Sequence, residues 1–363
     1  MTLALVGFGT ALPEHRFTQA ELTEMHAGFC RLDDERGRTL AALYRRSGVR
    51  TRSSVVLDAA EGPLRERQAF YPPARNADDR GPSTAARMSA YAAAAPALAV
   101  QASRRALDSA GLPAAAVSHL VTVSCTGFMA PGIDAAVIEG LRLSRTTQRT
   151  HVGFMGCHGA LNALRVARSF VDTDPEHVVV VCSVELCTLH FAYGWDPDMM
   201  VANALFGDGA AAVVGRHANS DEAAWRVSAT GTLLVPDSAA DMSWRIADHG
   251  FRMTLSARVP ALIEQHLGGW IRAWLAEQGL SLEDVATWAM HPGGPRILTS
   301  VQSSLGLERE ASDVSREVLA ECGNMSSATV LFILERLRAR EAPRPCVALA
   351  FGPGLVVEAL LIR

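Results

Sequence analysis

Short runs of valine and other apolar residues alternate along this chain with longer segments rich in alanine and leucine, and this alternation constrains the fold more than any other feature. The runs at 121–124, 178–182 and 210–214 have the length of buried strands. The segments at 160–171 and 259–278 have the length of helices. Because strand–helix alternation is typical of layered structures, we predict an α/β fold.

Two interruptions of this alternation predict where elements end. We expect a helix over 97–110, following Pro96, because proline disfavours the interior of a helix. A polar stretch at 216–224 breaks the pattern and predicts a link between two halves. We place those halves at residues 1–217 and residues 218–363.

Charge and residue usage exclude several classes of function. The net charge is -4, so no basic surface is available to hold the phosphate backbone of a nucleic acid. All 34 basic residues are arginine, which excludes a lysine Schiff base with pyridoxal phosphate and the phosphate-binding lysine of nucleotide loops. The histidines are scattered without ligand spacing, and we therefore expect no metal site.

Cysteine usage and the apolar runs indicate the compartment. The seven cysteines are odd in number and include no C-x-x-C pair, which argues against a disulfide framework and for a reducing environment. Residues 3–7 are typical of a first strand rather than of a signal peptide, and no apolar run has the length of a membrane span. We expect a soluble, cytoplasmic protein with no membrane partner.

Cys157 is the first candidate for chemistry. It lies between Gly156 and His158-Gly159, directly before a predicted helix, and the glycines permit a tight turn. A thiol at a helix N-terminus is expected to favour the thiolate, and the free backbone N–H groups there can bind an oxyanion. The alternative is that Cys157 is a small buried apolar side chain.

His291 and Asn324 lie in two further turns that contain glycine. His291 follows an apolar run and precedes Pro-Gly-Gly-Pro, while Asn324 follows Gly323 and precedes a predicted helix. The alternatives are a histidine that bonds to backbone at a strand end and an asparagine that caps a helix. With Cys157, they would combine a thiol nucleophile with two neutral groups that can donate hydrogen bonds to an enolate or oxyanion.

Five short motifs together resemble one known family. They are Gly156-Cys157, ALFGDGAA at 204–211, HPGGP at 291–295, GNMSS at 323–327 and FGPG at 351–354. With these motifs in this order, the chain resembles the type III polyketide synthases, the chalcone-synthase-like group of the thiolase superfamily, from its first strand to its last. The resemblance implies a thiolase-like fold in which two related halves form a layered αβαβα core.

The resemblance also implies roles for particular residues. Cys157 would hold an acyl starter as a thioester, and His291 and Asn324 would stabilise the enolate formed when malonyl-CoA loses carbon dioxide. Phe206 would form a gate between the coenzyme A tunnel and the cavity, and Met253 stands where many plant members carry a second gating phenylalanine. The substrates would be an acyl-CoA starter and malonyl-CoA, with no further cofactor.

The resemblance implies a dimer interface, and a cluster of positive charge suggests a site for coenzyme A. The loop at 127–132 would cross a dimer interface, which implies a homodimer. Four clustered arginines are candidates for contacts with the phosphates of coenzyme A, although a solvated helix face is an equal alternative: Arg45, Arg46, Arg50 and Arg52.

The positions that would line the substrate cavity are Cys125, Cys187, Leu189, His190, Trp244, Met253 and Ser326. Cys125 and Cys187 resemble bacterial members, some of which hold long aliphatic chains. Trp244 stands where chalcone-type enzymes have glycine, and its bulk should narrow the chamber. We therefore expect mainly alkyl-α-pyrones, while an aromatic product, a resorcinol or a tetrahydroxynaphthalene, stays open.

Three other functions compete with this interpretation. A ketoacyl-acyl-carrier-protein synthase of the fatty-acid initiation type also uses cysteine, histidine and asparagine, but the motifs at 291–295 and 323–327 have the polyketide-synthase form. A Cys-His-Asn thioester hydrolase would need no malonyl-CoA and would release a free acid. A non-catalytic partner that kept the fold is disfavoured because Cys157, His291 and Asn324 are all intact.

Overall fold

The computed structural model describes residues 3–218 and 225–363. Its strands are β1 (Leu3–Ala11), β2 (Arg16–Thr18), β3 (Thr51–Ser53), β4 (His119–Ser124), β5 (Gln148–Gly153), β6 (Val178–Leu186), β7 (Asp208–His217), β8 (Trp225–Leu234), β9 (Met242–Ala247), β10 (Gly250–Leu255), β11 (Thr287–Met290), β12 (Cys346–Gly352) and β13 (Val356–Ile362). Its helices are α1 (Gln19–Phe29), α2 (Asp34–Arg45), α3 (Thr84–Ala110), α4 (Ile133–Leu141), α5 (Gly159–Thr173), α6 (Pro197–Leu205), α7 (Val259–Glu277), α8 (Pro295–Leu305), α9 (Asp313–Cys322) and α10 (Thr329–Ala339).

One large mixed sheet forms the centre of the molecule. Its strand order is β11-β12-β13-β8-β1-β7-β6-β4-β5. β1 pairs antiparallel with both β7 and β8, so Leu3 lies opposite His217 on one side and Val227 on the other. This pairing joins the strands of the first part of the chain to those of the second part in a continuous sheet.

Helices cover both faces of this sheet because its strands are apolar on both sides. In β6, Val179 and Val181 pack with α5 and α10, whereas Val180 and Cys182 point to the opposite face and pack with α3 and α4. At the other end of the sheet, α7 and α8 cover the outer face of β12 and β13. Cys346, Ala348 and Leu360 of β12 and β13 pack in the same cluster as α5 and α10, so these two helices lie between two parts of the sheet. The order of layers is therefore α–β–α–β–α, which confirms the predicted layered, thiolase-like fold.

The predicted elements agree with the structure except at one boundary. The predicted strands lie within β4, β6 and β7, and the predicted helices correspond to α5 and α7. The helix expected over 97–110 begins earlier, because α3 starts at Thr84 and continues through Pro96. Tyr91, Ala95 and Leu98 on its inner side are buried, and this packing offsets the hydrogen bond that proline cannot make. Of the predicted link at 216–224, the first two residues end β7, and residues 219–224 lie outside the described part of the chain.

Two smaller units stand outside the layers and border the cavities described below. β9 and β10 form a hairpin in which Trp244 lies directly opposite Met253, so both side chains are on the same face. α1, α2 and α6 pack together in a separate apolar cluster that includes Leu22, Tyr44 and Met200.

Candidate active site

Cys157 lies in a one-turn 3-10 helix, Gly156–His158, that leads directly into α5. Gly156 has a φ of +76°, and a Cβ atom at this position would clash with the ring of Pro353. Only glycine fits this turn without strain. The predicted tight turn before a helix is therefore present, and it brings the FGPG segment of 351–354 next to Cys157.

The environment of the Cys157 thiol opposes its ionisation. Burial raises the pKa of Cys157 to about 11, although hydrogen bonds with Ser326 and Asn324 act in the opposite direction. Burial disfavours the charged form of a thiol, and here it outweighs the hydrogen bonds. At this site burial therefore acts against the thiolate that the position at the start of α5 was expected to favour.

His291 directly follows β11 and is almost completely buried. Its backbone N–H donates to the carbonyl of Leu349 in β12, at 2.8 Å. Neither ring nitrogen has a hydrogen-bond partner among the described residues, and burial lowers the pKa of His291 to about 3. His291 is thus a neutral imidazole whose side chain is not used to satisfy the backbone of the strand end.

Asn324 is held by the backbone of the Phe206 segment. Its N–H donates to Leu205 at 2.8 Å, and its carbonyl accepts from Gly207 at 3.0 Å. Its side-chain Oδ1 accepts from the N–H of Ser326 at 2.8 Å, so its Nδ2 group is the donor that can reach the Cys157 sulfur. Asn324 therefore stabilises a local turn and also contacts the thiol.

A narrow cavity of about 40 Å³ borders Cys157. Six of the predicted cavity and gate residues line it with Cys157: Cys125, Cys187, Phe206, Trp244, Met253 and Ser326. Met242, Ser243, Gly352 and Pro353 also line it, and sequence analysis did not identify them. Two predicted lining residues lie elsewhere, because Leu189 is buried in the core beneath α3 and His190 borders a second cavity.

The second cavity lies on the other side of Cys187, Phe206 and Trp244, which line both cavities. Its volume is also about 40 Å³, and most of its wall is apolar. The Trp244 indole N–H donates to the carbonyl of Cys125 at 2.8 Å, and its ring packs edge-on against His190 and Phe251. Trp244 is therefore a fixed part of the wall between the two cavities.

Glu185 is a buried carboxyl group beside Cys125 that sequence analysis missed. It accepts hydrogen bonds from the Cys125 backbone N–H at 3.0 Å, from the Thr126 hydroxyl at 2.6 Å and from Ser327. The Cys125 sulfur lies 3.3 Å from Glu185 and 3.0 Å from the Ser326 hydroxyl. Burial raises the pKa of Glu185, while these donors act in the opposite direction. The sequence signal that could have identified Glu185 was an acidic residue within the apolar segment at 178–186.

The four clustered arginines do not share one environment. Arg45, Arg46 and Arg50 are exposed, whereas Arg52 is buried and donates to the carbonyls of Asn203 and Phe206. The predicted contact of Arg52 with coenzyme A is therefore wrong, because its guanidinium is committed to backbone carbonyls inside the protein.

Within residues 3–218 and 225–363, no three histidine, cysteine or acidic side chains come together in a group able to hold a metal ion. No helix in this part of the chain is both long and apolar enough to cross a bilayer.

Comparisons with known proteins agree with this arrangement. The family model for the N-terminal domain of chalcone and stilbene synthases matches residues 2–217, and the model for their C-terminal domain matches residues 226–363. A 1,3,6,8-tetrahydroxynaphthalene synthase of Streptomyces peucetius is 38% identical over 98% of this chain and 91% of its own length. The α-pyrone synthesis polyketide synthase-like protein Pks18 of Mycobacterium tuberculosis is 33% identical over 99% of this chain and 91% of its own.

The fold of this chain is also similar to that of a solved structure. The crystal structure of PKS-I from the brown alga Ectocarpus siliculosus superimposes with a TM-score of 0.93 at 30% identity, covering 100% of this chain and 98% of that one. Because both family models and full-length relatives match, the chain belongs to the chalcone and stilbene synthase family, the type III polyketide synthases.

Proposed function

We propose that Cys157 carries the growing chain in a decarboxylative condensation of malonyl-CoA onto an acyl starter. The single observation that supports this best is the placement of Cys157, directly before α5, on the wall of a cavity that Ser326 and Phe206 also line. Neutral His291 accepts the thiol proton as the sulfur attacks the starter thioester, and coenzyme A leaves. Its unpartnered ring nitrogens leave it free to do so.

Chain extension then uses His291 and Asn324 as hydrogen-bond donors. Malonyl-CoA loses carbon dioxide, and the electron pair of the broken bond forms an enolate whose oxygen accepts hydrogen bonds from His291 and Asn324. The enolate carbon attacks the acyl thioester, the new carbon–carbon bond forms, and the Cys157 thiolate leaves. Dry, preorganised donors stabilise such an oxyanion because no solvent has to reorganise during the reaction.

Substrate entry and assembly are further parts of the proposal. Exposed Arg45, Arg46 and Arg50 are the candidates for coenzyme A phosphates, with Phe206 and Met253 as the gate. A homodimer is supported by the loop at 127–132, where Phe128 is 42% exposed, and by β5, which ends the sheet and can pair with a second copy.

We infer that the products are mainly alkyl-α-pyrones. Trp244 lies between the cavity beside Cys157 and the second cavity, whose apolar wall suits an aliphatic chain. Restricted folding favours attack of an enol oxygen on the thioester, which releases a lactone. The Mycobacterium relative, whose name refers to α-pyrone synthesis, supports the same product class.

An aromatic product is the second candidate, and a specific observation favours it. The Streptomyces relative named a tetrahydroxynaphthalene synthase is more similar in sequence, at 38% identity, than the α-pyrone relative at 33%. In that case malonyl-CoA alone would serve as starter and extender.

Product analysis separates the two candidates. The purified protein is incubated with malonyl-CoA alone and with acyl-CoAs of graded length, and the products are identified by mass. Alkyl-α-pyrones from medium or long starters support the proposal, and Trp244→Gly should shift the output towards ring-closed aromatics. Trp270→Gly removes a partly buried indole from α7, away from both cavities, and serves as the control. Aromatic products from malonyl-CoA alone, with long acyl-CoAs ignored, would show that the second candidate is correct.

Intact-protein mass tests the nucleophile. Incubation with a starter CoA should give an adduct that Cys157→Ala lacks and Cys30→Ala retains, because Cys30 is partly exposed outside the cavity. An adduct that persists in Cys157→Ala and maps to Cys125 or Cys187 would contradict the assignment.

A further inference from the structure

His158 is a buried polar side chain that the proposed chemistry does not use. It follows Cys157 in the turn that begins α5, but Cys157 borders the cavity whereas His158 is 2% exposed. An imidazole loses its hydration when it is buried, so its position has to be explained by the partners that it gains.

A chain of hydrogen bonds fixes one side of the His158 ring. His158 Nδ1 lies 2.6 Å from Asn162 Oδ1, Asn162 Nδ2 donates to Glu358 at 2.9 Å, and Arg165 pairs with Glu358 at 2.7 Å. We call these four residues the α5 polar chain. Because the Glu358 carboxylate only accepts, the Asn162 amide must present its oxygen to His158, and His158 Nδ1 must carry a proton. The pKa of His158 is lowered, chiefly by burial, so the ring is neutral with a lone pair on Nε2.

The other side of the ring lies against the cavity wall. A Cβ atom on Gly352 would lie 2.7 Å from His158 Nε2, so only glycine allows this close approach. The next residue, Pro353, lines the cavity with Cys157. The ring thus supports the backbone of Gly352 at the point where β12 ends and the cavity wall begins.

The same strand also holds the segment that contains His291, which directly follows β11. Leu349 of β12 accepts a hydrogen bond from the His291 backbone, three residues before Gly352. A positive charge on His158 would oppose protonation of His291. The burial that lowers the pKa of His158 avoids this, although Asn162 and Glu358 act in the opposite direction. The end of β12 is therefore held by His291 on one flank and by His158 on the other.

We propose that His158 is a positioning residue: the α5 polar chain orients its ring, and the ring holds the Gly352–Pro353 wall at the distance from Cys157 that condensation requires. The inference rests on the proposed role of Cys157 as the nucleophile. A misplacement of about 1 Å in a reacting geometry costs roughly a hundredfold in rate, so loss of this support should lower turnover rather than binding.

Two substitutions of His158 test the proposal in the full-length enzyme. His158→Phe keeps a ring but leaves Asn162 Oδ1 unpaired, and we expect kcat to fall roughly ten- to a hundredfold while KM for malonyl-CoA stays within about twofold. His158→Gln supplies an N–H donor for Asn162 and should recover most of the loss. His119→Phe is the matched control, since His119 is equally buried and stacks on Phe170 near the far end of α5. A merely structural role would give equal losses for His158→Phe and His158→Gln at equal melting temperature, and that result would overturn the proposal.

Asn162→Leu gives a second test that leaves His158 in place. It should reproduce the loss of kcat and change the ratio of lactone to other products, because the wall next to Pro353 shapes the chamber. Unchanged kcat and product ratio in a folded Asn162→Leu enzyme would also overturn the proposal. The adduct assay distinguishes failure of the proposed function from failure of the positioning role. If the wild type forms no adduct at Cys157, the proposed function fails. If the wild type forms a normal adduct and the His158→Phe variant is unaffected, only the positioning role is refuted.

Discussion

The ionisation of the Cys157 thiol sets the pH at which this residue can be alkylated. Burial raises the pKa of Cys157 to about 11, from an ordinary value of 9.0, and burial lowers the pKa of His291 to about 3. Two pKa units correspond to roughly 3 kcal/mol against the thiolate. Between these two values the thiol and the imidazole are both neutral, and at pH 8 only about one thiol in a thousand is ionised.

Alkylation by iodoacetamide measures this directly. We expect the rate at Cys157 to rise tenfold per pH unit from pH 6 to at least pH 9, because one group ionises in this range and only its thiolate reacts. Adducts are mapped by peptide mass, and Cys157→Ala identifies modification at other cysteines. Ser326→Ala removes a hydrogen bond that lowers the pKa of Cys157, and it should slow alkylation at pH 8 further. A rate that reaches a plateau below pH 7 would mean that a thiolate–imidazolium pair exists at rest, and the argument from burial would be refuted.

Three further outcomes are expected. Asn324→Ala should still load a starter, yet release of carbon dioxide from malonyl-CoA should fall about a hundred- to a thousandfold; unchanged release would show that Asn324 only stabilises its turn. Glu185→Ala leaves the Cys125 N–H and the Thr126 hydroxyl without this acceptor, and at about 1–3 kcal/mol for each buried donor the free energy of unfolding in urea should drop by about 2–6 kcal/mol. Light scattering should show a dimer that Phe128→Glu weakens, and a stable wild-type monomer at micromolar concentration would contradict the proposed interface.

Features that depend on neighbours in the chain could be predicted from the sequence. The strands within β4, β6 and β7 follow from short apolar runs whose alternate residues pack on opposite faces. The turn at Cys157 follows from Gly156, and the turn at Asn324 follows from Gly323, since both glycines have a positive φ. Because this backbone conformation favours glycine, the glycine in the sequence predicts the turn.

Features that depend on distant contacts could not be predicted in this way. Glu185 is satisfied by Cys125, 60 positions away, and by Ser327, 142 positions away, and no periodicity links them. Arg52 lies in an arginine-rich segment that is typical of a surface, yet the fold places it against the carbonyls of Asn203 and Phe206. In both cases burial is decided by packing, which a local pattern does not describe.

The role of Trp244 depends both on its own bulk and on distant contacts, and it leads to a prediction about the length of the acyl starter. Its bulk predicted a narrower chamber, but the structure also makes it part of the wall between two cavities. Moving the indole costs its hydrogen bond to Cys125, about 1 kcal/mol, and its contacts with His190 and Phe251, about 0.5–1.5 kcal/mol each. A buried methylene contributes about 0.8 kcal/mol, so roughly three to five methylenes offset this cost. We therefore expect kcat/KM to stay low for short starters and to rise once the acyl chain exceeds about five methylenes, a threshold that Trp244→Gly should remove. A gradual rise with chain length that is identical in the wild type and in Trp244→Gly would show that the aliphatic chain does not pass this wall.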